Sequence, residues 1–173
     1  MDRLSKLIHH ITTLCEPEKL GRTKLAKIIW FSDVERYRKT GETITHSDEY
    51  IKDEFGPRHR RLYEAIDALK SEGKLVERSA FTPVGTRREY VPLELPDVDE
   101  FSAEEIATVD RITTMICKMS AGETSDLTHD ELWKAAYLGE RMPVAAAAPI
   151  AGEITPEILR WAESVIDADG AAT

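Results

Sequence analysis

The sequence predicts a mainly helical α+β domain with one small β-hairpin. Three observations indicate this fold class. Apolar residues recur at spacings of three and four along most of the chain, Gly and Pro residues separate these stretches, and two short apolar segments flank a Pro/Gly turn. The 173 residues are 42% hydrophobic and 32% charged, which is an ordinary globular composition. A chain of this length suits one domain, or one core with an appendage.

The first third of the chain predicts two helices. An apolar stripe indicates an amphipathic helix over residues 2–15, with Asp2 as its cap. Pro17 and Gly21 interrupt this pattern. A second helix is predicted over residues 23–39, and Gly41 follows it at a position where glycine commonly ends a helix.

The middle of the chain predicts a third helix followed by a β-hairpin. Residues 41–57 are irregular, with an extended piece near Ile44 and a short helix before Gly56. Pro57 stands where a first-turn proline belongs, so the third helix is expected to start there and to end near Gly73. The segments KLVERSAF and RREYVPLEL, joined by TPVGT, predict the hairpin.

The remaining chain predicts further helices. SAEE is a capping-box signature, with Ser102 as cap and Glu105 as its partner. Thr128 is expected to cap the next helix, with Glu131 as box partner. The residues expected to face inward on that helix are Trp133, Ala136 and Tyr137. A last helix is predicted to start at residue 155.

Charge is distributed unevenly along the chain. The net charge is -9, with +3 over residues 1–93 and -12 over residues 94–173. We therefore expect a basic half, 1–93, joined near 94–101 to an acidic helical half, 102–142. These halves are predicted to form one domain over 1–142. An Ala/Pro segment and C-terminal helix, 143–173, are expected to pack on the same domain.

Several function classes find no support in the sequence. No apolar run approaches the roughly 20 residues of a membrane span, and the first residues do not resemble a signal peptide, so a cytoplasmic protein is expected. Cys15 and Cys117 belong to no CxxC or Cys/His cluster and are expected to be buried free thiols. Because histidines lack ligand spacing and no P-loop, GxGxxG or GxSxG occurs, we expect no metal, no cofactor and no enzyme activity.

The helical stretch of residues 22–39 has six basic side chains against two acidic ones. Two further basic clusters supply the candidate partner-binding residues. They comprise Arg58, His59, Arg60 and Arg61 after the Gly-Pro pair, and Arg87 and Arg88 near the hairpin tip. Three interpretations are open. The order helix, helix, helix, hairpin is that of a winged helix, in which the third helix enters the major groove and the wing contacts phosphates. Alternatively, these side chains only decorate helix surfaces, or they bind an acidic partner or the acidic second half.

A series of residues in fixed order carries a family resemblance. The series is Lys24-Leu25, Lys27-Ile28, Trp30-Phe31, Asp33, Gly41, Ile44-Thr45, Tyr50, Gly56-Pro57, Tyr63 and Gly73, then Thr128-His129 and Trp133. It resembles the core of the Panacea domain, the SocA-like antitoxin family, also described as phage-associated GepA-like proteins. The resemblance covers roughly residues 4–141, and it departs from the family at Trp30-Phe31, where a Leu/Tyr type is more frequent.

The resemblance implies a protein without chemistry of its own. Such a protein is a type II antitoxin that binds and neutralises a toxin encoded beside it, either by direct contact or as an adaptor to a ClpXP-type protease. The family-motif residues expected to be structural are Lys24, Leu25, Trp30, Asp33, Tyr50, Gly56, Pro57 and Trp133. The alternative is a winged-helix DNA-binding transcription regulator, which the acidic C-terminal half disfavours because it would repel a duplex.

Overall fold

The structure is a computed structural model that describes residues 1–82 and 85–148. In chain order its elements are α1 (Arg3–Leu14), α2 (Pro17–Thr40), β1 (Tyr50–Asp53), β2 (Gly56–His59), α3 (Leu62–Ser71), β3 (Leu75–Thr82), β4 (Gly85–Pro92), α4 (Ala103–Cys117), α5 (Ala121–Asp126), α6 (Glu131–Ala135) and α7 (Val144–Ala147). The predicted fold class, a mainly helical α+β domain, is confirmed. The helix predicted from residue 155 lies outside the described residues.

Helix α2 lies at the centre of the fold and contacts α1, α4, α5, β2 and β4. Residues from both halves of the sequence share its hydrophobic core: Leu7, Ile8, Ile11, Leu25, Ile28, Ile29, Leu62, Leu69, Val109, Ile112 and Ile116. The cap predicted for α1 is confirmed, because the Asp2 carboxylate accepts a hydrogen bond from the Ser5 N–H at 2.9 Å. The predicted interruption at Gly21 is also present, as a non-helical residue inside α2.

The expectation that Gly56-Pro57 starts the third helix is wrong. These residues begin β2, which pairs antiparallel with β1, and Asp53 lies opposite Gly56. The short helix expected before Gly56 is likewise replaced by β1, and α3 starts only at Leu62. Proline lacks an N–H and therefore tolerates an edge strand as well as a first helical turn, so the local signal fitted both structures.

The second hairpin agrees with the sequence prediction. Strands β3 and β4 pair antiparallel from Leu75 opposite Pro92 to Thr82 opposite Gly85. Tyr90 of β4 is fully buried, and its strand packs against α2. The chain order in the N-terminal half is therefore helix, helix, hairpin, helix, hairpin.

Helix α4 joins the acidic half to the core. Its predicted capping box between Ser102 and Glu105 is confirmed. The expectation of free thiols is wrong, since Cys15 and Cys117 form a disulfide, with their Cα atoms 6.3 Å apart. The two residues lie 102 positions apart in sequence. They meet because α1 and α4 pack together and each cysteine lies at a C-terminal end.

Two details of the α6 prediction are also wrong. Asp130 caps this helix, accepting the Trp133 N–H at 2.9 Å, whereas Thr128 is buried and donates its hydroxyl to the Ser125 carbonyl. Tyr137, expected to face inward, lies beyond the helix with 82% of its surface exposed. Trp133 packs against the core as expected, although it is only partly buried.

Candidate interaction surface

The structure divides the predicted basic cluster at residues 58–61. Arg58 lies in β2, where its guanidinium pairs with Asp53. Arg61 precedes α3 and pairs with Asp2 at 2.7 Å, and Arg60 is exposed. The sequence predicted that these arginines line the first turn of a helix. They do not, and each has different surroundings.

His59 of the same cluster is in the interior. Its side chain is 1% exposed and lies edge-on to the Tyr50 ring, with 5.1 Å between centroids. Its Nε2 is 3.0 Å from the Ser47 hydroxyl, and its Nδ1 accepts a hydrogen bond from the Arg61 N–H. Burial lowers the pKa of His59 to about 4, so the neutral ring is the form held here at neutral pH.

The hairpin arginines lie on β4. Arg87 donates to Glu89 at 2.6 Å, and Arg88 donates to the Ser79 hydroxyl at 2.6 Å. The Nε of Arg88 is also 3.8 Å from a carboxylate oxygen of Glu77. The acidic partners of both arginines thus belong to the basic half of the chain.

Tyr63 connects Arg58 with Arg22, which begins the basic stretch of α2. The guanidinium carbons of Arg22 and Arg58 lie 5.0 and 4.6 Å from the centroid of its ring. Arg22 also donates to Glu77 at 2.8 Å and to the Tyr90 hydroxyl at 3.2 Å. The electron-rich ring face stabilises two neighbouring cations, which would otherwise repel each other.

A surface cleft brings most of these side chains together. A cavity of about 720 Å³ lies between the Gly21 break of α2, the start of β4 and the start of α5. A second cavity of about 270 Å³ shares Arg22 and Thr23 with the first. We call the joined surface the cationic cleft, defined by Lys19, Arg22, Lys24, Lys27, Arg58, Tyr63, Arg87 and Arg88.

Two lysines of the cationic cleft are buried in its wall. The Lys24 ammonium donates to the Lys19 carbonyl at 2.7 Å, and the Lys27 ammonium donates to the Pro57 carbonyl at 3.3 Å. Neither forms an ion pair with any residue that the structure describes. Burial lowers the pKa of both side chains, that of Lys27 to about 7. Asp53 near Lys27 and Glu123 near Lys24 offset only part of this effect of burial on the two pKa values.

Three family-motif residues meet in a buried cluster with a polar centre. Asp33 is fully buried and accepts hydrogen bonds from the Thr45 N–H at 3.0 Å and the Tyr50 hydroxyl at 2.6 Å. Trp30 packs edge-on against Tyr50, with 4.9 Å between ring centroids. Burial raises the pKa of Asp33 to about 6 in spite of these donors. The network ties α2 to the segment that leads into β1.

Two more motif residues hold the β1–β2 turn against the helices. A Cβ atom at Gly56 would lie 2.2 Å from the Thr128 hydroxyl and 2.3 Å from the Lys27 ammonium. The Trp133 indole donates to the Asp53 carbonyl at 3.2 Å. The turn is thus fixed from both sides, which places Arg58 at the cleft.

The acidic half is paired with a different set of basic residues. The pairs are Arg3 with Glu105 at 2.9 Å, Lys6 with Asp97 at 2.8 Å and Arg36 with Glu104 at 3.2 Å. None of the six predicted partner-binding residues forms an ion pair with a described residue of 94–148. The ion pairs of the acidic half therefore lie with other basic residues, and Glu123, through its charge interaction with Lys24, connects this half to the cationic cleft.

Neither a metal site nor a membrane span occurs in the two described ranges, 1–82 and 85–148. No group of three His, Cys, Asp or Glu side chains there could hold a metal ion. The helices in those ranges are too short or too polar to cross a bilayer. The expected lack of metals and cofactors stays a prediction.

Arg22 and Lys27 belong to the basic stretch 22–39 but, like Tyr63, were not among the predicted partner-binding residues, although the cleft contains all three. One signal was available, because Lys24 and Lys27 are three positions apart and interrupt the apolar face of a helix. The approach of β4 to the Gly21 break, which closes the cleft, left no local signal in the sequence.

Fold and cleft together define an α+β, mainly helical domain with a buried polar centre and a cationic cleft. A family model described as antitoxin SocA-like, Panacea domain, matches residues 25–134. The chain belongs to this family, as its motif residues indicated. No curated protein and no solved structure matches the chain.

Proposed function

We propose that this protein is a type II antitoxin that binds a toxin protein and neutralises it by direct contact. The observation that carries the proposal is the match of residues 25–134 to an antitoxin domain. The cationic cleft supports it, because recessed arginines beside an aromatic ring are the kind of groups that dominate protein recognition.

The proposal includes that the protein acts by binding and catalyses no reaction. Two buried titratable side chains, Asp33 and His59, are used within the fold, which supports this part of the proposal. Asp33 accepts hydrogen bonds from Thr45 and Tyr50, and His59 is held between Ser47 and the Arg61 backbone. These hydrogen bonds hold both side chains in structural positions within the fold.

A cytoplasmic location belongs to the same proposal, since neutralisation requires the antitoxin to meet its toxin inside the cell. Cytosolic thiol systems reduce most disulfides. The Cys15–Cys117 bond would then be open to reduction by cellular dithiols.

The alternative, a winged-helix DNA-binding regulator, has less support. The winged-helix interpretation needs the arginines on the recognition helix. Arg58 lies in β2 instead, and Arg60 and Arg61 precede α3. The family match also names an antitoxin.

Co-expression with the protein encoded by the adjacent gene tests the proposal. We expect growth rescue and a complex that co-purifies on size-exclusion chromatography. A matched strain without the ClpX unfoldase separates the two modes of neutralisation, because direct contact keeps rescue there and an adaptor loses it. Absence of both rescue and complex, with both proteins soluble, contradicts the proposed function.

A further inference from the structure

We propose that the cationic cleft is the toxin-binding site and that it accepts a short acidic segment of the toxin, whose carboxylates pair with the lysines and arginines of the cleft. This inference rests on the proposed function and adds to it the binding surface and the chemistry of the partner. Four features of the structure support it, namely charge, buried lysines, shape and the placement of the chain's own acids.

The charge of the cleft is opposite to that of the molecule. The described side chains that line its two cavities include seven basic residues, Lys19, Arg22, Lys24, Lys27, Arg58, Arg87 and Arg88, and two acidic ones, Glu18 and Asp53. Ion pairs with Glu16, Glu77, Asp53 and Glu89 offset part of this charge, and basic side chains still outnumber acidic ones. The whole chain has a net charge of -9. A concave positive site in a negative surface focuses the field and selects for anionic groups. An acidic partner would therefore be directed to the cleft and repelled elsewhere.

Lys24 and Lys27 extend this charge into the interior. Their side chains are 8% and 1% exposed, and both ammonium groups reach only backbone carbonyl oxygens among the described residues. A carboxylate in the cleft would give them a charge-assisted hydrogen bond and a counter-ion. The two residues are one helical turn apart, so successive acidic side chains of an extended segment can reach both cavities.

The shape of the cleft favours a short segment over a nucleic-acid duplex. Its larger cavity, about 720 Å³, has the size of sites that enclose small ligands, so it can hold a few side chains. A duplex is a broad polyanion whose contact surface extends well beyond a cavity of this size, onto a protein whose net charge is -9. The cleft therefore fits a local run of carboxylates better than a regular array of phosphates.

The described acids of the chain's own second half do not occupy the cleft. Glu105, Asp97 and Glu104 pair instead with Arg3, Lys6 and Arg36, none of which lines the cleft. Glu123 of α5 lies near the cleft and interacts electrostatically with Lys24, but it forms no ion pair with that lysine and its carboxylate accepts the Ser120 N–H in a capping box. An acidic partner segment is therefore the occupant that the charge pattern favours.

Fluorescence anisotropy with a labelled peptide of alternating Glu and Ser tests the site. Its matched control peptide carries Gln in place of Glu, and a third probe is a labelled DNA duplex.

The cleft variant is Arg22→Gln with Arg88→Gln. Because Arg22 also donates to Tyr90, a second variant, Lys19→Gln with Arg88→Gln, changes exposed side chains only. The control variant, Arg60→Gln with Arg141→Gln, removes the same charge from exposed arginines that do not line the cleft.

We expect the Glu peptide to bind the parent protein and the Gln peptide not to bind. Both cleft variants should bind the Glu peptide with an affinity roughly 2- to 30-fold lower, which corresponds to the summed free energies of two partly exposed ion pairs. The control variant should bind it with the affinity of the parent protein. Equal losses in cleft and control variants would overturn the inference, because binding would then follow net charge alone. Tighter binding of the duplex than of the peptide, lost in the cleft variants, would overturn it in favour of nucleic acid.

Co-purification with the adjacent gene's product separates this inference from the proposed function. If the parent and both cleft variants form the complex equally well, the antitoxin function stands and the cleft is not its binding site. If the parent forms no complex and gives no rescue, the proposed function fails and the inference fails with it. Loss of complex in the cleft variants alone, with unchanged melting temperatures, is the result we expect.

Discussion

At the scale of single residues, Gly56 is fixed by both conformation and space. Its φ is 110°, and a Cβ there would meet the Thr128 hydroxyl and the Lys27 ammonium. We expect Gly56→Ala to lower the free energy of unfolding on the order of 2–4 kcal/mol, from backbone strain and displaced buried groups. Gly85→Ala is the matched control, because Gly85 has a φ of 125° and a Cβ added there would have no atom within 4 Å. Equal losses in urea denaturation would contradict the steric part of this explanation.

Tyr50 and Asp33 give a prediction that depends on pH. The folded-state pKa of Asp33 is about 6, above its ordinary value of 3.8, so the folded protein binds more protons than the unfolded chain between these values. The hydroxyl of Tyr50 donates to the ionised carboxylate. Tyr50→Phe should therefore cost about 1.5–3 kcal/mol of stability at about pH 8 and clearly less at about pH 5, where Asp33 is mostly protonated.

Urea denaturation at both pH values measures this difference. Tyr90→Phe is the control, because its hydroxyl accepts from Arg22 and has no carboxylate partner that titrates in this range. The control should lose the same stability at both pH values. A Tyr50→Phe loss that is equal at the two pH values would show that Asp33 stays ionised throughout.

The sequence predicted individual residues well where the signal was local. Asp2 and Ser102 cap helices as expected, because a capping side chain bonds the backbone a few positions away. His59 was grouped with three arginines because they are adjacent in sequence, and only the fold shows it beneath Tyr50. The cleft residues Arg22 and Tyr63 could not be assigned for the same reason, since their meeting depends on how α2 and α3 pack.

At the scale of elements, two boundaries show where local signals were ambiguous. Gly56-Pro57 fits a helix start and an edge strand alike, and the close approach of Lys27 and Thr128 selects the strand. Thr128 and Asp130 are both residue types that cap helices, and the structure uses Asp130 because Thr128 is buried against Ser125. In both places tertiary packing decided between two locally acceptable structures.

The disulfide between the ends of α1 and α4 gives the prediction at this scale. Cys15 and Cys117 close a loop with a sequence separation of 102. Their bond therefore lowers the conformational entropy of the unfolded chain considerably. We expect the oxidised protein to be more stable than the reduced protein by about 2–5 kcal/mol. Thermal melts with and without a dithiol measure the difference.

The control for this prediction is the double variant Cys15→Ser with Cys117→Ser. A dithiol should not change its melting temperature, which should lie near that of the reduced parent protein. A thiol titration of the unreduced, denatured parent should find no free thiol before reduction. Identical melts of the oxidised and reduced parent would contradict a stabilising role of the bond.

At the scale of the whole molecule, the charge asymmetry of the sequence does not correspond to two separate bodies. Val109, Ile112 and Ile116 of the acidic half are buried in the same core as Leu7 and Leu25 of the basic half. Ion pairs such as Arg3 with Glu105 cross between the halves as well. The asymmetry therefore marks complementary surfaces within the fold, together with a cationic cleft that these internal pairs leave open.

This packing predicts that residues 1–93 cannot fold alone. Without α4 the fragment would expose the core side chains of α1 and α2 that Ile112 and its neighbours cover, and burial of apolar surface is the main source of stability. We expect fragment 1–93 to show no cooperative thermal transition by circular dichroism, whereas a fragment of residues 1–148 melts cooperatively. Mixing fragments 1–93 and 94–173 should restore a cooperative transition, since the ion pairs and core contacts between them need no covalent link. A cooperative transition of fragment 1–93 by itself would instead make the basic half an independent domain, with 94–101 as a true interdomain linker.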